Sequence, residues 1–150
     1  MLDLQIVKNE NDFNSDFNRT DFIDFLYNHL ERFGDEKEAI NKSIDYAFSQ
    51  SEGKGGFLVI ARYEGKVVGT LVMNNTGMEG YIPEFILVYV AVDSTYRGKG
   101  FGKEIVEKSI KYCKGDVALH VEYDNPAKRL YERIGFGTKY AEMRYYKEEK

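Results

Sequence analysis

The stretch "FILVYVAV", Phe85 to Val92, is eight consecutive apolar residues set between Glu84 and Asp93. It is too short to cross a bilayer as a helix, and no polar residue along it marks a solvent-facing side. It therefore reads as a β-strand buried on both faces, and such a strand obliges the fold to place one layer above the sheet and another below it. With 150 residues, 43% hydrophobic and 31% charged, the chain can supply those layers within one folded unit spanning residues 1–150.

The surrounding pattern alternates strands and helices. "LQIV" (Leu4–Val7) suits a short first strand. Phe22, Leu26, Leu30 and Phe33 recur at helical spacing up to Gly34; Ile40, Ile44, Ala47 and Phe48 form a second stripe, ahead of which Asp35 and Glu38 read as a capping pair. "FLVIARY" and "KVVGTLVM" flank Glu64-Gly65, a tight-hairpin signal. After the apolar strand, Ile105, Val106, Ser109, Ile110 and Cys113 mark one helical face, and "DVALHVEY" reads as another strand. "DNPAKRLYERIGF" then predicts a helix with Asn125 as N-cap, Pro126 at its first position and Gly135 past its last turn. "FGTKYAEMRYYK" is expected to supply one or two closing strands.

Between the apolar strand and the helix that follows lies "YRGKGFG", Tyr96 to Gly102. A strand, a glycine loop and a helix in that order present backbone N–H groups without carbonyl partners at the positive end of a helix dipole. The glycines keep side chains out of the way, and Arg97, Lys99 and Lys103 add positive charge, so the segment reads as a cradle for a pyrophosphate. It lacks the Gly-Lys-Ser/Thr ending of a Walker loop. It also comes too late in the chain, and after too antiparallel a hairpin, to open a Rossmann unit.

Charge narrows the partners. A net charge of -4 and a pI near 5.3 argue against a nucleic-acid ligand and suit a cationic one. "MLDLQIVKNE" has neither the basic opening nor the apolar centre of a secretory leader, so a soluble, cytoplasmic protein without membrane association is expected. The single cysteine, Cys113, offers no disulfide and no cysteine-based zinc cage and reads as a plain buried thiol. His29 and His120 are too isolated to suggest a metal site.

"VDSTYRGKGFGKEI" closely resembles the acetyl-CoA-binding motif of the GNAT N-acetyltransferase superfamily, Gln/Arg-x-x-Gly-x-Gly/Ala, met here by Arg97, Gly100 and Gly102. "NPAKRLYERIGF" resembles the same family's second signature, one helix and one strand further on. Ser94, Phe101 and Pro126 depart from the usual residues at their positions. The resemblance covers nearly the whole chain. It implies an α/β (α+β) GNAT fold, with a mixed, mostly antiparallel sheet of six to seven strands flanked by about four helices. It also implies acetyl-CoA as co-substrate, no metal, and direct attack by a primary amine within a ternary complex. The cofactor-binding positions carried over are Val90, Ala91, Val92, Arg97, Gly98, Lys99, Gly100, Phe101, Gly102, Lys103 and Asn125, with a bulge near Tyr89 to Val92 splaying the strand.

The chemistry can be matched to residue types. An alkylamine is protonated at neutral pH, so its proton must leave before attack; an oxyanion then needs a backbone donor, and the departing thiolate needs a proton. Tyr131 matches the family's tyrosine and reads as the general acid, although Ala127, Leu130, Tyr131 and Ile134 also form an ordinary core stripe. Asn125 could touch pantetheine or act solely as an N-cap. Glu84, thirteen residues before Arg97, is the candidate base, with His120 or water as rivals. Glu84 equally suits an exposed strand end, and His120 a partly exposed place on the sheet.

The acceptor stays open among a polyamine, an amino acid, an aminoglycoside and a peptide amine. Exposed strand edges and a tyrosine-rich C-terminus suit a homodimer. Two other functions fit the same residues: a noncatalytic acyl-CoA-binding or interaction module, and a nucleotide-binding domain.

Overall fold

The computed structural model describes residues 1–148. Five strands form one sheet in sequential order: β1 (Asp3–Val7), β2 (Gly56–Tyr63), β3 (Lys66–Asn75), β4 (Phe85–Val92) and β5 (Val117–Leu119). The first four are antiparallel neighbours, and β5 joins β4 in parallel. The four helices are α1 (Arg19–Leu30), α2 (Lys37–Phe48), α3 (Phe101–Ile110) and α4 (Ala127–Ile134).

The strands are apolar on both sides because the sheet is covered on both. Leu58, Ile60, Val72 and Ala91 face α1 and α2, where they meet Phe22, Leu26, Ile40 and Ile44. Val59, Leu71, Met73 and Leu87 face the other way, toward Ile105 and Val106 of α3 and Tyr131 of α4. Side chains of this size contribute roughly 1.5–3 kcal/mol each when fully buried, so the two layers hold the sheet from both directions. Contact with α3 is close at one point. A Cβ on Gly69 of β3 would lie 2.4 Å from Ile105 Cδ1 and 3.1 Å from the Ala91 carbonyl oxygen.

Local chemistry sets the connections. Glu64 and Gly65 both take positive φ, at 50° and 81°, which gives the β2–β3 hairpin the two-residue turn whose twist matches its strands. Asn18 and Asp21 cap α1 reciprocally, each side chain accepting from the other's backbone N–H. The capping pair expected from Asp35 and Glu38 does not form. Glu36 stands at the N-cap of α2 without a side-chain bond, and Asp35 instead accepts from the Tyr89 hydroxyl at 2.5 Å.

The sheet has five strands, not six or seven. The expected strand "DVALHVEY" keeps only Val117–Leu119, and no strand forms between Phe136 and the last described residue, Glu148. Tyr140, Met143, Tyr145 and Tyr146 are exposed there. The reason lies in β4. It bulges between Leu87 and Tyr89, where Val72 pairs with Tyr89 and Met73 with Leu87, leaving Val88 as the extra residue. Pairing between β4 and β5 stops at Leu87 and Leu119, the same level. Beyond it the two strands part, and β5 has no ladder left on which to lengthen.

Candidate active site

The parting of β4 and β5 exposes main chain in a predictable direction. The Asp93 N–H donates to the Val68 carbonyl at 2.8 Å, so that residue points toward β3. Alternation along the strand then turns the N–H and C=O of Val92 and Val90 to the other edge, which β5 has left. Ala91, between them, pairs with Thr70, and its side chain is buried on the α1–α2 face. The offer at Val90, Ala91 and Val92 is therefore backbone from the two valines. The bulge residue, Val88, lies one position before the span Tyr89 to Val92 near which the family resemblance placed it.

The opening leads to the start of α3. Gly98 and Gly100 have φ of 84° and 81°, a region that L side chains enter at a cost, and a Cβ on either would meet nothing within 4 Å. Gly100 is the N-cap and supplies no side-chain bond; the first intrahelical bond is Glu104 N–H to the Gly100 carbonyl, at 3.1 Å. The N–H groups of Phe101, Gly102 and Lys103 are thus left without helical acceptors, beside open space. Lys99 and Lys103 are exposed, and neither is ion-paired among the described residues. Arg97 is engaged: its guanidinium donates to the Glu31 carboxylate at 3.3 Å and to the His29 carbonyl. Phe101 is buried, packed with Tyr63 and Tyr96 at ring-centroid distances of 5.0 and 6.2 Å. Its side chain serves the core, and only its backbone faces the cradle.

Tyr131 lies on the α3–α4 side of the opening, 8% exposed and edge-on to Phe136. Desolvation alone pushes its pKa up to about 12, and its hydroxyl has no hydrogen-bond partner among the described residues. It is a protonated donor without an assigned acceptor. Asn125 acts as the cap expected of it, its side-chain oxygen accepting from Ala127 N–H at 2.9 Å, while Pro126 already has helical φ and ψ. The cap accounts for the oxygen and leaves the amide NH2 to other partners.

Glu84 and His120 sit at different levels. Glu84 precedes β4 at the closed end, where its carboxylate accepts from Asp116 N–H at 2.7 Å and Gly80 N–H at 3.3 Å. These bonds, the one from Asp116 foremost, hold its pKa below the ordinary carboxylate range and make it a weaker base. No hydrogen bond joins it to Tyr131 among the described residues. His120 is the first residue after β5, at the level where the strands part, and it is exposed. Cys113 is half-buried, and burial pushes its thiol up to about 11, as suits an inert side chain.

The last turn of α1 and the 3-10 turn that follows it, Glu31–Phe33, reach both lips of the opening, a feature that no sequence motif signalled. Besides the bonds to Arg97, His29 Nδ1 accepts from Ser94 N–H at 3.2 Å. On the other lip, Arg32 pairs with Asp124 at 3.1 Å.

The model of the acetyltransferase (GNAT) family matches residues 15–136. The chain belongs to that family. No curated protein matches it. Among solved structures it is similar to an aminoglycoside acetyltransferase from an uncultured soil metagenomic sample, at 18% identity and a TM-score of 0.65, over 99% of this chain and 97% of that one. It is also similar to a possible acetyltransferase from Clostridium difficile 630, at 19% identity and a TM-score of 0.65, over 100% and 99% of the two chains. A third is glucosamine-6-phosphate N-acetyltransferase from Arabidopsis thaliana, at 23% identity and a TM-score of 0.58, over 97% and 99%. These likenesses establish a shared fold. No helix among the described residues is long and apolar enough to cross a membrane.

Proposed function

We propose that the protein transfers the acetyl group of acetyl-CoA to a primary amine, both substrates being bound together. One observation carries this reading: the outward-facing amides of Val90 and Val92 run straight into the unbonded N–H groups at the start of α3. An extended amide-bearing arm ending in a pyrophosphate has the shape and polarity to use both. The cradle residues Gly98 to Lys103 would take the phosphates, the β4 edge the arm, and the amide NH2 of Asn125 an arm carbonyl.

In the reaction, the amine nitrogen forms a bond to the thioester carbonyl carbon, and the carbon–sulfur bond breaks. A β4 amide stabilises the oxyanion, and Tyr131 gives its proton to the departing thiolate. The amine's proton leaves through His120 or water. Glu84 was the base expected from the sequence, but its bonds at the closed end favour a structural role.

Thermal shift separates this reading from its rivals. Acetyl-CoA and CoA should protect the protein where ATP and NAD do not, by about 2.7 kcal/mol at a hundred times the Kd. Gly100→Glu, which puts bulk and negative charge into the cradle, should remove that protection. Equal protection by ATP, or a folded Gly100→Glu protein that binds CoA normally, would defeat the assignment.

A further inference from the structure

The acceptor, which the family leaves open, is marked by a carboxylate on the α1–α2 face. Tyr131 and α4 occupy one side of the opening between β4 and β5, so an amine must come from the other. On that side the first β4 side chain beyond the bulge residue is Tyr89, half-buried, with its hydroxyl 2.5 Å from Asp35 Oδ2. Burial and the neighbouring carboxylate both hold the Tyr89 proton in place, so the tyrosine acts as a fixed donor that orients Asp35.

Asp35 and its neighbour Glu36 are left without a cation where other acids nearby are paired, and of the two only Asp35 is held in place, by Tyr89. Glu31 is paired with Arg97, Asp124 with Arg32, and Asp24 with Lys37. Asp35 is exposed and meets no cation among the described residues; its one side-chain bond is the one that Tyr89 donates. The result is an uncompensated negative charge held one tyrosine side chain away from the main chain of β4.

We propose that Asp35 anchors a second positive charge on the acceptor, so that the preferred substrate is a short diamine: one amine reacts in the opening while the other, still protonated, pairs with Asp35. Tyr89 is the positioning residue for that carboxylate. This rests on the acetyltransferase reading above.

Putrescine and n-butylamine test it, since they present the same four-carbon chain with and without the second charge. The wild-type protein should prefer putrescine in kcat/KM by about fivefold, the upper end for an ion pair at an exposed site. Asp35→Asn should erase the preference by raising KM for putrescine while leaving n-butylamine unchanged. Glu36→Gln, the same loss of charge one residue away, should preserve it. Tyr89→Phe should reduce the preference in part. Calorimetric titration of putrescine into the CoA complex supplies a readout without turnover, in which Asp35→Asn should weaken binding by a similar factor. Equal use of both amines by the wild-type protein, equal harm to both from Asp35→Asn, or putrescine binding that ignores Asp35 would each overturn the proposal. A wild-type protein that neither binds acetyl-CoA nor acetylates any amine would instead overturn the acetyltransferase reading.

Discussion

Phe85 and Asp93 are eight residues apart in one extended segment, yet their amides point to opposite edges: Phe85 N–H donates to the Asp116 carbonyl beside β5, and Asp93 N–H to the Val68 carbonyl beside β3. Even spacing in a regular strand would aim both the same way. The single extra residue, Val88, accounts for the reversal. It also releases β4 from β5, so one inserted residue both opens the gap and turns the amides of Val90 and Val92 into it.

Deleting Val88 should therefore close the site while sparing the fold. Without it, the existing pairs Met73–Leu87 and Val72–Tyr89 become consecutive, and the remaining β4 side chains keep their alternation between the two cores. The variant should show native far-UV circular dichroism and lose acetyl-CoA affinity by about tenfold or more. Undiminished binding would separate the bulge from the ligand site.

Tyr131→Phe removes a hydroxyl and keeps the ring against Phe136. Turnover should fall about a hundredfold, the low end for a general acid, with KM for acetyl-CoA unchanged. Because burial pushes the Tyr131 pKa up to about 12, wild-type kcat should also hold past a pH of about 10, where an ordinary tyrosine begins to lose its proton. A variant with normal kcat would return Tyr131 to the core.

For Glu84 the expected effect is on stability. Its backbone bonds depress the folded-state pKa, so the stability it contributes is present above the unfolded carboxylate range and disappears as the pH falls through the folded value. Melting temperatures of wild type and Glu84→Gln should differ at neutral pH and converge in acid, while kcat/KM profiles coincide. A rate loss in Glu84→Gln that high pH rescues would make Glu84 the base after all.

Thr70 is fully buried on β3, and its hydroxyl oxygen has no hydrogen-bond partner among the described residues. Thr70→Val replaces that oxygen with a methyl group of similar size and should raise stability by about 1 kcal/mol in urea unfolding. A destabilised variant would show that the hydroxyl is satisfied in solution.

What the sequence disclosed, and what it concealed, follows from how locally each feature is determined. The α4 helix was legible from Asn125, Pro126 and Gly135, because a cap, a first-turn proline and a terminating glycine act within one turn. Glu64-Gly65 and the glycines of the cradle were legible for the same reason. The bulge could be placed only through the family resemblance. β4 is apolar on both faces, so a slip in alternation leaves no polar residue on the wrong side to betray it. One or two closing strands were expected from "FGTKYAEMRYYK", but strand formation needs a partner edge, and β5 offers three residues. Asp35 read as a helix cap because its rival partner, Tyr89, lies 54 residues away.

The exposed lysines of the cradle carry a kinetic consequence. Lys99 and Lys103 attract an anion at close range, while the chain as a whole carries -4 and repels the same anion from a distance. Salt with a screening length of about 8 Å weakens both effects, but they govern different events. The distant repulsion slows encounter, and the nearby attraction prolongs residence. Raising ionic strength should therefore speed both the arrival and the departure of acetyl-CoA, an exchange that stopped-flow measurement can resolve where an equilibrium constant would show only the difference between them.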